Sequence, residues 1–142
     1  MEAGKIHVAA GAVIEDGQGR VLLVKHKPER EGFWKGKWIC PGGRLKPGES
    51  IREAIAREVN EETHLEIELV KPLIPFERIV WEDGYLKLHV IYLDYLAEIK
   101  GGNLKPDDDI GEAIWVRKED LKQIEEELHE DTRILMRIAG LL

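Results

Sequence analysis

Cysteine is nearly absent from the 142 residues: Cys40 stands alone, which excludes an internal disulfide and, with no Cys or His at ligand spacing, a zinc site. Long apolar runs are missing as well. Segments such as Val21-Leu22-Leu23-Val24 and Val90-Ile91-Tyr92-Leu93 stop far short of the roughly 18 to 20 residues that cross a bilayer. Met1-Glu2-Ala3-Gly4 lacks the basic and then apolar regions of a secretory leader, so the expected compartment is the cytoplasm with no membrane partner. Positive charge is in deficit, with 21 Lys and Arg against 28 Asp and Glu and a formal net charge of −7. Without a basic stripe, no stable nucleic-acid partner is expected. Gln (18 and 123) and Asn (60 and 103) are scarce beside Glu, Lys, Arg and Ile. That balance fits a heat-adapted protein with surface ion-pair networks, which a melting midpoint would check.

What is present describes a folded chain. Apolar runs recur at short intervals in a sequence that is 43% hydrophobic despite its 35% charged fraction, so disorder is excluded for most of its length. The length predicts one domain over 1–142, with enough buried surface to need no metal or disulfide staple. Residues 6–16 and 20–25, joined by Asp16-Gly17-Gln18-Gly19, read as a hairpin. Residues 26–37 carry Pro28, Gly32, Gly36 and many charges and read as a long functional loop. Trp38-Ile39-Cys40 reads as a short strand, stopped by Pro41-Gly42-Gly43.

Ser50-Ile51-Arg52-Glu53 has the form of a capping box, which starts a helix at Ile51. Ile51, Ile55 and Val59 give that helix an apolar stripe, and it is expected to end near Glu62. Extended segments follow at 65–70, 76–81 and 86–99, with Asp83-Gly84 as a turn, then a polar loop at 101–109 and a strand at 113–116. Residues 118–128 and 131–138 read as helices. Strands interrupted by one helix and closed by others predict an α/β protein, a three-layer α/β/α sandwich with a mixed sheet.

The chemistry concentrates on the first helix. Glu58, Glu61 and Glu62 fall within an arc of roughly 100° at the helical repeat, beside the apolar stripe. Three like charges at that spacing repel unless a cation intervenes. Arg57 is four residues from both Glu53 and Glu61, so its planar fork can bridge and orient them. Upstream, Gly42 and Gly43 let the backbone approach a ligand closely. Oxygen donors of this kind suit Mg²⁺ first and Mn²⁺ second. An isolated glutamate cluster would normally be a solvated face.

This cluster is not isolated. The stretch Gly43-x5-Glu49-x7-Arg57-Glu58-Val59-x-Glu61-Glu62-x-His64-Leu65 resembles the Nudix box, G-x5-E-x7-R-E-U-x-E-E-x-G-U with U aliphatic. Every defined position matches except the last glycine, where His64 stands. That position reads as a left-handed helix cap, which His tolerates better than most residues; the other reading has His64 pointing into the site. The resemblance implies a Nudix-like sandwich and metal-dependent hydrolysis of a nucleoside diphosphate-linked substrate. It implies Glu58, Glu61, Glu62 and the Gly43 carbonyl as metal ligands, Arg57 as the orienting residue, and Gly42 and Glu49 as structural members of the motif. Glu58, or an acid from the later loop with Asp109 and Glu112 as candidates, would take the proton.

Substrate contacts are less defined. Arg30, Lys35, Lys37 and Arg44 are candidates for phosphate, and Trp34, Phe76, Trp81 and Tyr92 for a base, with Trp34 preferred because it sits in the polar loop. The markers of the ADP-ribose and diadenosine polyphosphate subfamilies are absent: fifteen residues beyond Leu65 stands Val80, followed by Trp81, and Tyr85 falls late. The expected substrate is therefore a ribo- or deoxyribonucleoside triphosphate, released as monophosphate and pyrophosphate. ADP-ribose or a dinucleoside polyphosphate is the alternative, and a non-catalytic nucleotide-binding regulator is the alternative from another class. The sequence leaves oligomeric state open, a homodimer included.

Overall fold

A computed structural model describes residues 4–142; residues 1–3, read above for a leader, lie outside them. Strand β1 (Ile6–Glu15) runs into β2 (Arg20–His26) through a turn tied by one carboxylate. The Asp16 side chain accepts from the backbone N–H of Gln18 and Arg20 and from Arg20 Nε at 2.6 Å. This is how an aspartate mimics a backbone turn.

The remaining strands are β3 (Gly42–Arg44), β4 (Leu65–Pro72), β5 (Phe76–Glu82), β6 (Tyr85–Gly102) and β7 (Ile110–Arg117). They form one mixed sheet in the order β4-β6-β1-β2-β7, with β3 added to β1 and β5 to β6. The β1–β6 pair is parallel, from Ile6 opposite His89 to Glu15 opposite Glu98, and the other pairs are antiparallel. Alternation along the strands sorts two cores. Ala10, Ala12, Ile14, Leu22 and Val24 pack against Ala54, Ile55 and Val59 of α1 (Ile51–Thr63). Val13, Val21 and Leu23 pack on the opposite face against Leu121, Leu128 and, from α2 (Glu130–Ile138), Leu135 and Met136. The expected α/β/α sandwich is thus formed. No helix among the described residues is long and apolar enough to cross a membrane.

Three local expectations are corrected. Trp38-Ile39-Cys40 is no strand; Trp38 and Ile39 make only isolated bridges, and the paired segment is the glycine stretch after it. A Cβ on Gly42 would meet Ala10 O and Gly11 Cα at 2.6 Å, so the bare residues are what allow β3 to lie against β1. Residues 118–127 form 3₁₀ turns broken at Ile124, where one α-helix was expected, because only Leu121 is buried there and little apolar surface holds a regular helix in place. Strand β6 runs through Gly102, and β7 begins at Ile110, three residues earlier than its apolar pattern indicates.

Candidate active site

Helix α1 is fixed at both ends before it presents any chemistry. Ser50 Oγ accepts from Glu53 N–H at 3.1 Å and Glu53 Oε1 accepts from Ser50 N–H at 3.3 Å, completing the capping box. His64 closes the helix in the left-handed conformation, φ 62°, its N–H donating to Asn60 O, and its Nε2 lies 2.8 Å from Asp107 Oδ2. His64 therefore serves as a cap whose ring faces a neighbouring loop.

Between these ends the three carboxylates occupy graded environments. Glu61 is exposed, Glu58 is mostly covered, and Glu62 is buried at 4% exposure. Arg57 gathers them. Its Nε and Nη2 donate to the two oxygens of Glu49 at 2.6 and 3.0 Å, while Nη1 reaches Glu58 at 2.9 Å and Glu61 at 3.2 Å. The expected bridge to Glu53 is not made, because that side chain is committed to the cap. Burial pushes the Glu58 carboxyl up against the lowering pull of Arg57, and Glu61 and Asp108 push the same way as burial. Glu62 is pushed well up, first by burial and then by Glu58 and Asp108, although it accepts from Gly42 N–H at 3.0 Å.

Glu58 and Glu62 open onto a cavity of about 380 Å³, which Asp108, Asp109, Gly42, Gly43 and Arg44 also line. The Glu58 carboxylate lies directly on Gly43, where a Cβ would fall 2.4 Å from its Cδ. The loop carrying the two aspartates is pinned to the end of α1: Lys105 N–H donates to Thr63 O and Asp107 N–H to Glu62 O. Among the described residues no three His, Cys, Asp or Glu side chains already converge as a ligand set. The donor chemistry still fits a hard divalent cation, since Glu58, Glu62 and Asp108 line one cavity and Asp108 pushes the carboxyls of both glutamates up.

Aromatic side chains line the same cavity. Phe76 and Tyr92, opposite each other on β5 and β6, stack at 4.7 Å. Trp34 reaches in from the 26–37 loop and donates from Nε1 to Tyr92 Oη at 3.1 Å. Tyr92 in turn donates to Asp131 at the start of α2, and Arg78 holds the other oxygen of that carboxylate at 2.6 Å. Arg30 anchors the same loop, 3.1 Å from both Asp109 and His26 Nε2. Burial and then Arg30 push His26 down to about 4.

The structure brings together Arg30, Trp34, Gly42, Gly43, Arg44, Glu58, Glu62, Phe76, Tyr92 and Asp109. Others fall outside the cavity. Lys35 pairs with Glu31 and Lys37 Nζ donates to Glu126 O. Trp81 is 66% exposed on β5. Glu112 sits exposed on β7 opposite Lys25, because that strand starts early and carries it away from the loop. Glu61 lines a separate shallow depression with Asn60, His64, Asp107 and Asp108. Asp94, Asp131 and Asp108 escaped sequence reasoning. Asp94 and Asp131 look like ordinary strand and helix-start residues; the one local signal was the Asp107-Asp108-Asp109 run, in which Asp108 holds φ 54°.

A NUDIX domain model matches residues 5–137. The nucleoside triphosphatase NudI of Enterobacter sp. (strain 638) is 32% identical over 130 residues, covering 87% of this chain and 90% of that protein. The structure of a MutT NUDIX hydrolase from Burkholderia pseudomallei matches at a TM-score of 0.78 and 28% identity, over 94% of this chain and 97% of that one. A bifunctional NMN adenylyltransferase/ADP ribose pyrophosphatase from Francisella tularensis, complexed with AMP and Mn ion, shares the fold at a TM-score of 0.70 and 22% identity, over 94% of this chain and 41% of that one. With the matched domain spanning nearly all of the chain, the protein belongs to the Nudix family and is a Nudix hydrolase.

Proposed function

We propose that the protein hydrolyses a ribo- or deoxyribonucleoside triphosphate to the monophosphate and pyrophosphate, with Mg²⁺ or Mn²⁺. One observation carries this reading: the carboxylates of Glu58 and Glu62 and the rings of Trp34, Phe76 and Tyr92 line a single cavity of about 380 Å³, within the roughly 300 to 1,000 Å³ of ligand sites. A triphosphate needs its charge neutralised at one end and a flat surface for its base at the other. The nucleoside triphosphatase relatives support the substrate class, and the Mn ion and AMP of a protein with the same fold support the cofactor.

In this reading Glu58 and Glu62, with the Gly43 carbonyl and with Glu61 from the adjoining depression that shares Asp108, would hold the cation. A bound divalent ion supplies neutralisation of phosphate charge and makes water more acidic. Arg57, braced by Glu49, keeps Glu58 and Glu61 in place, as a carboxylate partner does around metal sites. Arg30 and Arg44 meet the remaining phosphate oxygens, and Trp34, Phe76 and Tyr92 flank the base. Water attacks phosphorus in line; the new P–O bond forms as the bond to the bridging oxygen breaks, and pyrophosphate leaves. Glu58 or Asp109 takes the proton. Glu112, outside the cavity, has no part in this scheme.

The test is product chromatography with the common ribo- and deoxyribonucleoside triphosphates, ADP-ribose and diadenosine tetraphosphate, with each ion in turn. Monophosphate and pyrophosphate from a triphosphate are expected, and Glu61→Gln should lower turnover by orders of magnitude at an unchanged melting midpoint. No turnover of any triphosphate, or normal turnover by that variant, would overturn the reading.

A further inference from the structure

Asp94 is among the cavity carboxyls that have no role in the scheme above. Asp94 follows Tyr92 by two residues on β6, so the two side chains share a face of the sheet, and both line the cavity. Asp94 is 8% exposed. Among the described residues nothing donates a hydrogen bond to its carboxyl and no cation pairs with it. Of the other carboxylates on the cavity, Asp131 is engaged by Arg78 and Tyr92, Asp109 by Arg30, Glu62 by Gly42 N–H and Glu58 by Arg57, while Asp108 is exposed.

The fold keeps Asp94 uncovered. Its strand neighbour is Gly11, whose own neighbour on the other side is Gly42. A Cβ on Gly11 would fall 2.9 Å from Asp94 Oδ1 and 2.7 Å from Pro41 O, so any larger residue would press on the carboxyl. A buried polar group without a partner is costly unless a ligand supplies one. Burial alone pushes this carboxyl up to about 7, so its neutral form, with one O–H donor and one C=O acceptor, is accessible near neutral pH.

We propose that Asp94 is a specificity-determining residue of the base pocket, pairing as a neutral carboxylic acid with adjacent donor and acceptor atoms on the edge of a nucleobase flanked by Trp34, Phe76 and Tyr92. The inference rests on the nucleotide reading for its ligand class, but it concerns binding and is tested without turnover. An ionised carboxylate offers two acceptors and would match only the paired N–H groups of guanine. A neutral acid matches an edge that alternates donor and acceptor, as an asparagine amide does.

The experiment is calorimetric titration of the metal-free protein with the nucleoside 5′-monophosphates and, as a probe lacking a base, ribose 5-phosphate. The parent should bind at least one monophosphate more tightly than ribose 5-phosphate. Asp94→Asn, which keeps a donor beside an acceptor, should hold that affinity to within about threefold. Asp94→Val should weaken it by about tenfold or more, the worth of a buried hydrogen bond, while binding ribose 5-phosphate like the parent. Unchanged monophosphate binding by Asp94→Val, or equal loss of both ligands in a variant that still melts like the parent, would overturn the assignment. So would a parent that does not distinguish base from no base. Selective guanine binding that Asp94→Asn destroys would overturn the neutral pairing. Base-dependent binding without hydrolysis would retain Asp94 and remove the hydrolytic reading, so the two fail separately.

Discussion

Adding one methyl group at Gly42 or at Gly43 should produce different failures, although the residues are adjacent on one short strand. At Gly42 the new Cβ meets Ala10 O and Gly11 Cα, each at 2.6 Å. Both atoms belong to the backbone of β1, and neither can yield without parting β3 from β1, which are joined at only three residue pairs. Overpacking of a rigid site costs about 1 to 3 kcal/mol, and two backbone clashes place Gly42→Ala at the top of that range, about 3 kcal/mol. An unfolding entropy of roughly 2.1 cal/mol/K per residue gives about 0.3 kcal/mol/K for a chain of this size, so its melting midpoint should fall by about 10 °C.

At Gly43 the three atoms nearest the new Cβ all belong to the Glu58 carboxylate, at 2.4 to 2.6 Å, and a side chain can swing away. Gly43 does not hold a positive φ, so alanine is tolerated by the backbone and lowers the entropy of the unfolded chain by about 0.4 to 1 kcal/mol. Stability should change by less than about 1 kcal/mol. Glu58, however, loses its 2.9 Å bond to Arg57, and a displacement near 1 Å in a catalytic site costs on the order of a hundredfold. Circular-dichroism melts and kcat/KM on the same preparations separate the two cases. A Gly43→Ala protein that melts as low as Gly42→Ala, or keeps its kcat/KM, would refute the reasoning.

Arg57→Lys keeps the charge but loses the paired bonds to Glu49, and kcat/KM should drop by about ten- to a hundredfold; an unaltered rate would show that geometry at Arg57 is unimportant. His64→Gly relieves a left-handed residue at a cost of only an exposed contact to Asp107, so the midpoint should rise by about 3 °C, for about 1 kcal/mol; a lower midpoint would contradict the cap assignment. Burial pushes the Asp94 carboxyl up from 3.8 to about 7 in the folded protein. The parent is therefore fully stable with respect to this group below pH 3.8, and loses stability as pH rises towards 7. Asp94→Asn should match the parent near pH 4 and exceed it near pH 8 by up to roughly 4 kcal/mol, read from urea unfolding; the same difference at both pH values would refute the burial argument.

The sequence by itself determined the features that depend on neighbours along the chain. The Ser50–Glu53 box, the 3.6-residue phase of Glu58, Glu61 and Glu62, the Asp16 turn and the alternation of β1 and β2 all follow from spacing. A local hydrogen bond or a repeat angle needs no tertiary context, and these features carried the family, the layered fold and the box side of the site. The rest depended on which distant segments meet. Glu49 becomes the partner of Arg57 only because the loop before α1 folds back along it. Tyr92, Phe76, Trp34 and Asp131 come from two strands, a loop and a helix start, and no periodicity relates them. Glu112 and Trp81 were misplaced for the converse reason, since a sound local pattern does not reveal which face of a completed sheet looks into the cavity. Asp94 reads in sequence as one polar residue in an apolar strand. Only the bare Gly11 beside it, brought there by the parallel pairing of β1 with β6, leaves its carboxyl open to the cavity.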